Sequence, residues 1–462
     1  MQQEVRRRLG EDLLHACARQ ASIWYEQHDM TAEAIEMALQ GGDPERVISL
    51  IERFVNSRDF AEYREYHTLQ RWIEQLPQQV VHRNPAFCFL YASTLVFSMQ
   101  PRQATNWGKV EALLQVAEDV WRAQADTTDI GIVLGFRSLT SMWQGELDAA
   151  RSFAREALSL LPEEEVIWQG ISRAILGETE LYRGWMDNAR QTIRESIAAA
   201  QAVGNQHVVR ASTIMLAEVC IGQGELYQAE VLYQQVLANC KDDLDDKKKA
   251  LFGLAGLSYE HNKLTDVEEA LEEIFQLGKQ FPDESLQIRA ELLQARVLFT
   301  RNGYERVRQS LQALLIRAQS SPFRPVQQLY RTVLMWQARL QLAEGKLSTL
   351  PPWISSSEKA TDEWSFKQQE QEALLLARWY LSQDQQDQAI QHLEDRLKIA
   401  QERGQVSSSL EIRLLLALAY ADFKQATEAC QLLLKVLDTA QQEGYQRLFL
   451  DEGARLEALL RA

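Results

Sequence analysis

The sequence predicts an all-α protein, a right-handed α-solenoid in which helical hairpins stack one after another along the chain. Three observations predict this fold. A short pattern recurs as WQGELDAARSFAREAL, YRGWMDNARQTIRESI and GQGELYQAEVLYQQVL, with a period of about 39 residues. Small and large apolar residues hold fixed places in each copy. No segment alternates apolar and polar residues between hairpin turns, as β-strands do.

Each copy contains one position, here called the hinge slot, that favours the end of a helix. Aligned on the first copy, the hinge slots are Gly145, Gly184, Gly224, Asn262, Asn302, Gly345, Asp384 and Lys424. Gly and Asn readily adopt the left-handed backbone conformation that terminates a helix. Each slot therefore predicts the turn between the two helices of a hairpin, and Lys424 fits this pattern least well.

Small residues flank the hinge slot on both sides, and a larger residue follows. Seven residues before the slot lie Ser138, Gly177, Ala217, Ala255, Ala295, Ala338, Ala377 and Ala417. Five residues after it lie Ala150, Ala189, Ala229, Val267, Val307, Leu350, Ala389 and Ala429. Nine residues after it lie Ile193, Tyr233, Leu271, Leu311, Leu393 and Leu433. Small residues let two helices approach closely, and the larger side chain fills the core beside them.

The spacing of these positions is similar to that of the tetratricopeptide repeat, whose usual period is about 34 residues. The longer period here predicts longer helices. A single hairpin cannot bury its own apolar face, so neighbouring hairpins must stack and share a core.

Two domains are predicted. Residues 1–85 form an N-terminal helical region with shorter repeats, and residues 86–462 form the superhelix of about nine hairpins. The earliest hairpin is degenerate and surrounds Trp107. Prolines and a serine run in PPWISSSEKATDEW indicate an insertion or a distorted helix near 351–364.

Composition excludes several classes of function. Lys and Arg number 49 against 65 Asp and Glu, a net charge of −16 that disfavours nucleic acids and anionic membranes. The 5 cysteines are far apart, and the 7 histidines form no metal motif. Neither a nucleophile elbow nor a Cys/His pair suggests catalysis. We therefore expect a cytoplasmic protein that is not an enzyme and that holds no cofactor and no metal.

A curved stack of hairpins predicts a ligand-binding groove. The first helix of each hairpin lines the concave side, and tetratricopeptide geometry turns inward the positions six and two residues before the hinge slot. The candidate binding residues at these positions are Glu178, Glu218, Arg296, Arg339, Arg378, Trp143 and Tyr182.

The residue types suggest what this groove binds. Guanidinium groups suit an anionic or polyhydroxyl part of an effector, so the three arginines are the expected anchors. The two aromatic residues are expected to stack on a sugar or a flat ring. Two plainer interpretations stay open: the arginines pair with acids on neighbouring repeats, and the aromatic residues only pack.

Three stretches outside the clearest repeats support a resemblance to a known family. They are WYEQHDMTAEAIEMALQGGDPERVISLIERF, LQRWIEQLPQQVVHRNPAFCFLYA and GYQRLFLDEGARLEALL. With the repeats between them, the chain resembles the central region of MalT-type regulators, the large ATP-binding activators of the LuxR group. The resemblance covers essentially the whole chain.

The resemblance implies an effector-sensing and protein-interaction superhelix of a bacterial transcription regulator. In that family an ATPase module precedes this region and a helix-turn-helix DNA-binding domain follows it. The sequence contains no G-x-x-x-x-G-K-[ST] phosphate loop and ends before a helix-turn-helix, so we interpret the chain as an excised sensor segment. The alternatives are a natural stand-alone version and a stand-alone scaffold that binds a protein or peptide partner.

Overall fold

The computed structural model describes residues 11–55, 66–98, 106–240, 243–346, 365–423 and 425–461. Every regular element within these ranges is a helix, which confirms the all-α prediction. The chain divides into two compact units, residues 1–133 and 134–462. The predicted insertion at 351–364, Leu350 and the hinge slot Lys424 lie outside the described residues.

The first unit contains short, irregularly connected helices. They are α1 (Glu11–Gln27), α2 (Thr31–Gln40), α3 (Pro44–Val55), α4 (Tyr66–Glu74), α5 (Gln78–Arg83), α6 (Pro85–Phe97) and α7 (Trp107–Gln124). A buried polar contact joins the first three helices. Ser22 Oγ donates a hydrogen bond to the Ala34 carbonyl at 2.7 Å and accepts one from Arg46 Nε at 2.9 Å.

The two compact units divide between residues 133 and 134, and the domain boundary at residue 85 stays a prediction. Helix α6 packs against α4, α5 and α7. Its fully buried Cys88 reaches the Val81 carbonyl of α5 at 3.4 Å. Helix α6 is therefore held by its neighbours within the first unit.

The second unit is a solenoid of eight repeats, seven of which are complete hairpins within the described residues, and two short helices follow. The complete hairpins are α8 (Thr127–Trp143), which begins before the unit does, with α9 (Leu147–Leu160), α10 (Val166–Tyr182) with α11 (Met186–Ala202), α12 (Gln206–Gly222) with α13 (Leu226–Asn239), α14 (Leu244–Glu260) with α15 (Leu264–Gln280), α16 (Glu284–Thr300) with α17 (Tyr304–Ser320), α19 (Phe366–Ser382) with α20 (Gln386–Glu402), and α21 (Val406–Asp422) with α22 (Ala426–Glu443). The first helix of the sixth repeat is α18 (Arg324–Ala343), and the two short helices are α23 (Arg447–Leu450) and α24 (Ala454–Arg461).

The hinge slots have the backbone conformation that the sequence predicts. All seven that the structure describes have positive φ, from 55° at Asp384 to 81° at Gly184. Side chains cap several of the first helices at the opposite end of the hairpin. Asn205, Asp243 and Asp283 each accept a backbone N–H three residues later. Local sequence thus sets both ends of these hairpins.

The small and large positions pack as predicted. The small residues before the slot are buried in all eight hairpins, and Ile193, Tyr233 and Leu271 are almost fully buried on the second helices. A Cβ added to Gly177 would lie 2.5 Å from Ile193 Cγ1. The large residue therefore fills the space that the missing side chain of Gly177 leaves.

The solenoid makes a full circuit, here called a winding, every five hairpins. The hinge residue Gly145 accepts Gln328 Nε2 at 3.4 Å, and a Cβ on the next hinge glycine, Gly184, would meet Phe366 at 2.5 Å. Ser407 Oγ donates to the Ile221 carbonyl beside the third hinge. Each of these three hinges thus contacts the start of the repeat five places later, and the hydrogen-bonded partners are 183 and 186 residues apart.

Polar contacts and a few apolar side chains hold the two windings together. Gln405 is 6% exposed and donates to the Gly184 carbonyl at 3.0 Å. Arg403 donates to the Arg183 carbonyl at 2.8 Å, and its own carbonyl accepts the Met186 N–H at 3.1 Å. Because these bonds are made by backbone groups at hairpin ends, they satisfy groups that the helices leave unpaired.

None of the helices in the described ranges is long and apolar enough to cross a membrane.

Candidate ligand-binding site

The three predicted arginines line one cavity of about 130 Å³ between the two windings. Arg296 comes from α16 in the first winding, whereas Arg339 and Arg378 come from α18 and α19 in the second. Part of the wall comes from residues 444–453, here called the C-terminal segment, which contains α23. The three arginines come from consecutive repeats, whereas the C-terminal segment reaches the cavity because it stacks on α14 of the first winding.

Arg378 is the most completely paired of the three. Its Nη2 donates to Glu411 Oε1 at 2.7 Å, and its Nε donates to Glu452 Oε1 at 3.1 Å. Its side chain is only 10% exposed. Burial disfavours the charged guanidinium, but Glu452 and Glu411 outweigh that effect and raise the pKa of Arg378. Arg378 is therefore a fixed positive charge with carboxylates on two sides.

Arg339 is held less tightly. Its Nη2 lies 3.6 Å from Glu452 Oε1, beyond hydrogen-bonding distance, and its guanidinium lies 5.3 Å from the Trp336 ring centroid. Burial and the nearby Arg378 charge lower the pKa of Arg339. This guanidinium therefore has fewer stabilising contacts than its neighbour.

Arg296 lies between two aromatic rings. Its guanidinium carbon is 4.1 Å from the Tyr259 centroid and 5.0 Å from the Trp336 centroid, and Glu260 is 3.8 Å away. The buried Arg296 Nε has no hydrogen-bond partner within the described chain. Burial raises the pKa of Glu260 to about 7. The cavity thus offers one further donor beside an aromatic wall.

The C-terminal segment supplies the opposing charges. Tyr259 OH donates to Asp451 Oδ2 at 3.0 Å, and the Gln446 N–H donates to the Glu260 carbonyl at 2.9 Å. Arg447 lies 5.3 Å from the Tyr259 ring centroid. These contacts tie the end of the second winding to α14 of the first.

The predicted acidic residues form a neighbouring patch. Burial raises the pKa of Glu178 to about 7. The nearby Lys249 charge lowers this pKa, and the repulsion of Glu218 raises it further. Tyr182 keeps 41% of its surface accessible beside these acids. Lys367 lies near both Glu218 and Arg296, and burial, then Arg289, lowers its pKa. The inner face of the solenoid therefore carries charges of both signs.

Trp143 is placed differently from the other predicted residues. It ends α8, is part-buried, and does not belong to the residues that line the arginine cavity. The expected stacking pair of Trp143 and Tyr182 is therefore not assembled at this cavity. Its aromatic wall is Trp336, which the sequence did not single out.

One cluster outside the cavity has metal-ligating residue types. His207, Asp243 and Asp246 bring ligand atoms within 4.8 Å of one another. Arg210 already fills this position, since it donates to Asp246 at 2.9 Å and to Asp243 at 2.7 Å. A cation would have to displace the guanidinium, so the cluster is an ion-pair network and gives no support for a metal site.

A family model described as the MalT-like TPR region matches residues 131–462. The chain belongs to this family. Among solved structures, it is similar to the crystal structure of yeast Tom70, with 15% identity, a TM-score of 0.40, and coverage of 90% of this chain and 97% of that one. It is also similar to the P58(IPK) TPR domain, with 15% identity, a TM-score of 0.22, and coverage of 87% and 94%. A comparison with curated protein sequences finds no match.

The matched residues of the MalT-like TPR region contain every residue that lines the arginine cavity. Sequence reasoning found its three arginines from the repeat register but missed Glu452 and Trp336. The signal for Glu452 was present, because the stretch GYQRLFLDEG places two acids after an apolar run. Only the folded structure shows that Glu452 contacts Arg378 and that Asp451 contacts Tyr259.

Proposed function

We propose that this MalT-like TPR region is the effector-sensing and protein-interaction superhelix of a MalT/LuxR-type, ATP-dependent transcription regulator. An effector binds at the arginine cavity, and binding changes how the solenoid contacts neighbouring ATPase and DNA-binding domains. The proposal assigns the chain no catalytic step and no direct contact with nucleic acid.

One observation carries the proposal: residues of both windings line the same cavity. Glu260 of α14 and Asp451 and Glu452 of the C-terminal segment lie five places apart along the solenoid, and all three line this cavity. A ligand that contacts both windings favours one spacing between them over another. Such a difference in affinity between two conformations is what couples binding to a change of shape.

A thermal-shift screen of sugars, nucleotides, small acids and aromatic metabolites tests this proposal. We expect at least one compound to raise the melting temperature in a concentration-dependent way. Arg339→Ala should abolish that shift without changing helical content. Arg301→Ala is the matched control, because Arg301 lies in the turn between α16 and α17, outside the cavity lining, and forms an exposed pair with Glu268 at 2.7 Å.

The same experiment separates the alternative function. Capture of one defined protein or peptide partner, together with no small-molecule shift, would favour a stand-alone scaffold. A shift that survives both Arg339→Ala and Arg378→Ala would rule out this cavity as the effector site.

A further inference from the structure

We propose that Glu452 is an internal carboxylate that occupies an anion site built by Arg339 and Arg378. A small carboxylate with a compact aromatic or apolar body binds there by displacing Glu452 and loosening the C-terminal segment. The inference rests on the proposed function, because it gives the chemical class of the effector and the way in which binding is transmitted.

The position of Glu452 resembles that of a bound ligand. Its side chain is 9% exposed, and it accepts hydrogen bonds from Arg378 Nε at 3.1 Å and 3.4 Å. A short helix of 4 residues precedes it, and Gly453 follows with φ of 67°. The carboxylate is therefore presented by a turn rather than by a hairpin, and it can leave without unpacking α19 or α21.

Charge favours replacement of Glu452 by another anion. Arg378 keeps Glu411 as a partner when Glu452 leaves. Among the ion pairs of the described residues, by contrast, Arg339 has its carboxylate contact only with Glu452. Arg339 is 19% exposed, and withdrawal of Glu452 leaves this largely buried cation without an ion-pair partner, with only the longer-range attraction of Glu411 and Asp451. Such a charge is costly, and an incoming carboxylate restores the balance.

The walls of the cavity favour a ligand with an apolar body. Beside the arginines, its lining includes Met335, Trp336, Leu374, Leu375 and Leu448. Its volume of about 130 Å³ is close to that of an engineered apolar cavity, about 150 Å³, that binds benzene. The Arg296 side chain, 27% exposed, adds a positive charge at the same wall. A neutral sugar would leave the Arg339 charge uncompensated, whereas a compact carboxylate would not.

Displacement of Glu452 weakens the contacts that the C-terminal segment makes with the first winding. Asp451 and Gln446 in the same segment hold Tyr259 and Glu260 of the first winding. Leu456 of α24 is 1% exposed in the core, so the end of the chain stays anchored while the segment before it moves. Ligand binding therefore weakens one set of winding contacts without unfolding the solenoid.

Calorimetric titration tests the proposal. Benzoate and, separately, its neutral analogue benzamide are titrated into the full 462-residue chain. We expect Glu452→Gln to strengthen benzoate binding at least tenfold, because the competing carboxylate is gone and the side-chain shape remains. Glu457→Gln removes an equal charge from an exposed side chain on α24 and should leave affinity unchanged. Benzamide should bind neither protein measurably, and Arg339→Ala should abolish the gain of the Glu452→Gln variant.

Hydrogen exchange of the wild-type chain tests the displacement directly, without relying on a variant that folds. Saturating benzoate should speed exchange of the amides at 446–453 at least severalfold and leave α19 and α21 unchanged. The inference would be overturned if Glu452→Gln and the wild type bound benzoate equally well, or if Glu457→Gln gained as much affinity. It would also be overturned if benzamide bound as tightly as benzoate, or if exchange at 446–453 did not change. A different metabolite that still shifts the melting temperature through Arg339 would, in any of those cases, leave the effector-sensing function standing.

Discussion

The contact between Gly177 and Ile193 gives the sharpest test of the hairpin packing. A methyl group added at Gly177 would lie 2.5 Å from Ile193 Cγ1 and 3.3 Å from the Ile193 backbone nitrogen. Overpacking of this kind costs about 1–3 kcal/mol. Alanine is favoured over glycine inside a helix by about 1 kcal/mol. Gly177→Ala should therefore destabilise the protein by about 0–2 kcal/mol.

The sign of this effect should reverse when the larger side chain is removed. Ile193→Ala alone should cost about 2–5 kcal/mol, because Ile193 is fully buried. In that background the clash with Cγ1 is gone, and Gly177→Ala should stabilise by about 1 kcal/mol through helix propensity and partial filling of the cavity. The double-mutant cycle should thus give a coupling of about 1 kcal/mol or more.

Urea unfolding followed by far-ultraviolet circular dichroism measures these free energies. Gly256→Ala is the matched control, since an added Cβ there meets no atom within 4 Å. It should stabilise by about 1 kcal/mol in both backgrounds. Additive effects of Gly177→Ala and Ile193→Ala, or a Gly177→Ala variant as stable as Gly256→Ala, would refute the proposed small–large packing.

Three further predictions concern the windings, pH and buried charge. Gly184→Ala should destabilise by at least 1 kcal/mol more than Gly204→Ala, because both have positive φ but only Gly184 contacts the next winding; denaturant melts measure the difference. Because burial raises the pKa of Glu178 to about 7, the folded state binds its proton more tightly than the unfolded chain, so stability should fall as pH rises from about 5 to 7, and thermal melts of Glu178→Gln should show a smaller fall. Arg210→Ala should cost about 3–5 kcal/mol by urea unfolding, since it leaves a buried carboxylate unpaired, whereas Arg301→Ala, at an exposed pair, should cost less than about 1 kcal/mol.

Much of the hairpin architecture could be predicted because its causes are local. A positive φ at Asn262 or Gly345 follows from the residue type, and the burial of Ala217 and Ala255 follows from their distance to the hinge. The helices of the first unit follow no such local pattern. Helix α6 is an apolar segment like those of the repeats, and its partners α4 and α5 are short helices that follow no repeat register.

The candidate site, too, has residues that the sequence could predict and residues that it could not. The repeat register placed Arg339 and Arg378 on one inner face, since equivalent positions of stacked hairpins face the same direction. It gave no information on Glu452, because that residue follows the last hairpin and belongs to no repeat. The contact between Arg378 and Glu452 arises only when the C-terminal segment, which follows the eighth repeat, packs against the first winding.

The sequence by itself determined the helices, their hinges and the small–large packing inside each pair, because these depend on residues a few positions apart. The tertiary structure alone decided that five hairpins complete a winding, that successive windings touch, and that the chain's own carboxylate enters the arginine cavity. The physical reason is that the pitch of a solenoid is a sum of small rotations at every interface between hairpins. No short stretch of sequence specifies that sum, so residues almost half a chain apart become neighbours only in the folded protein.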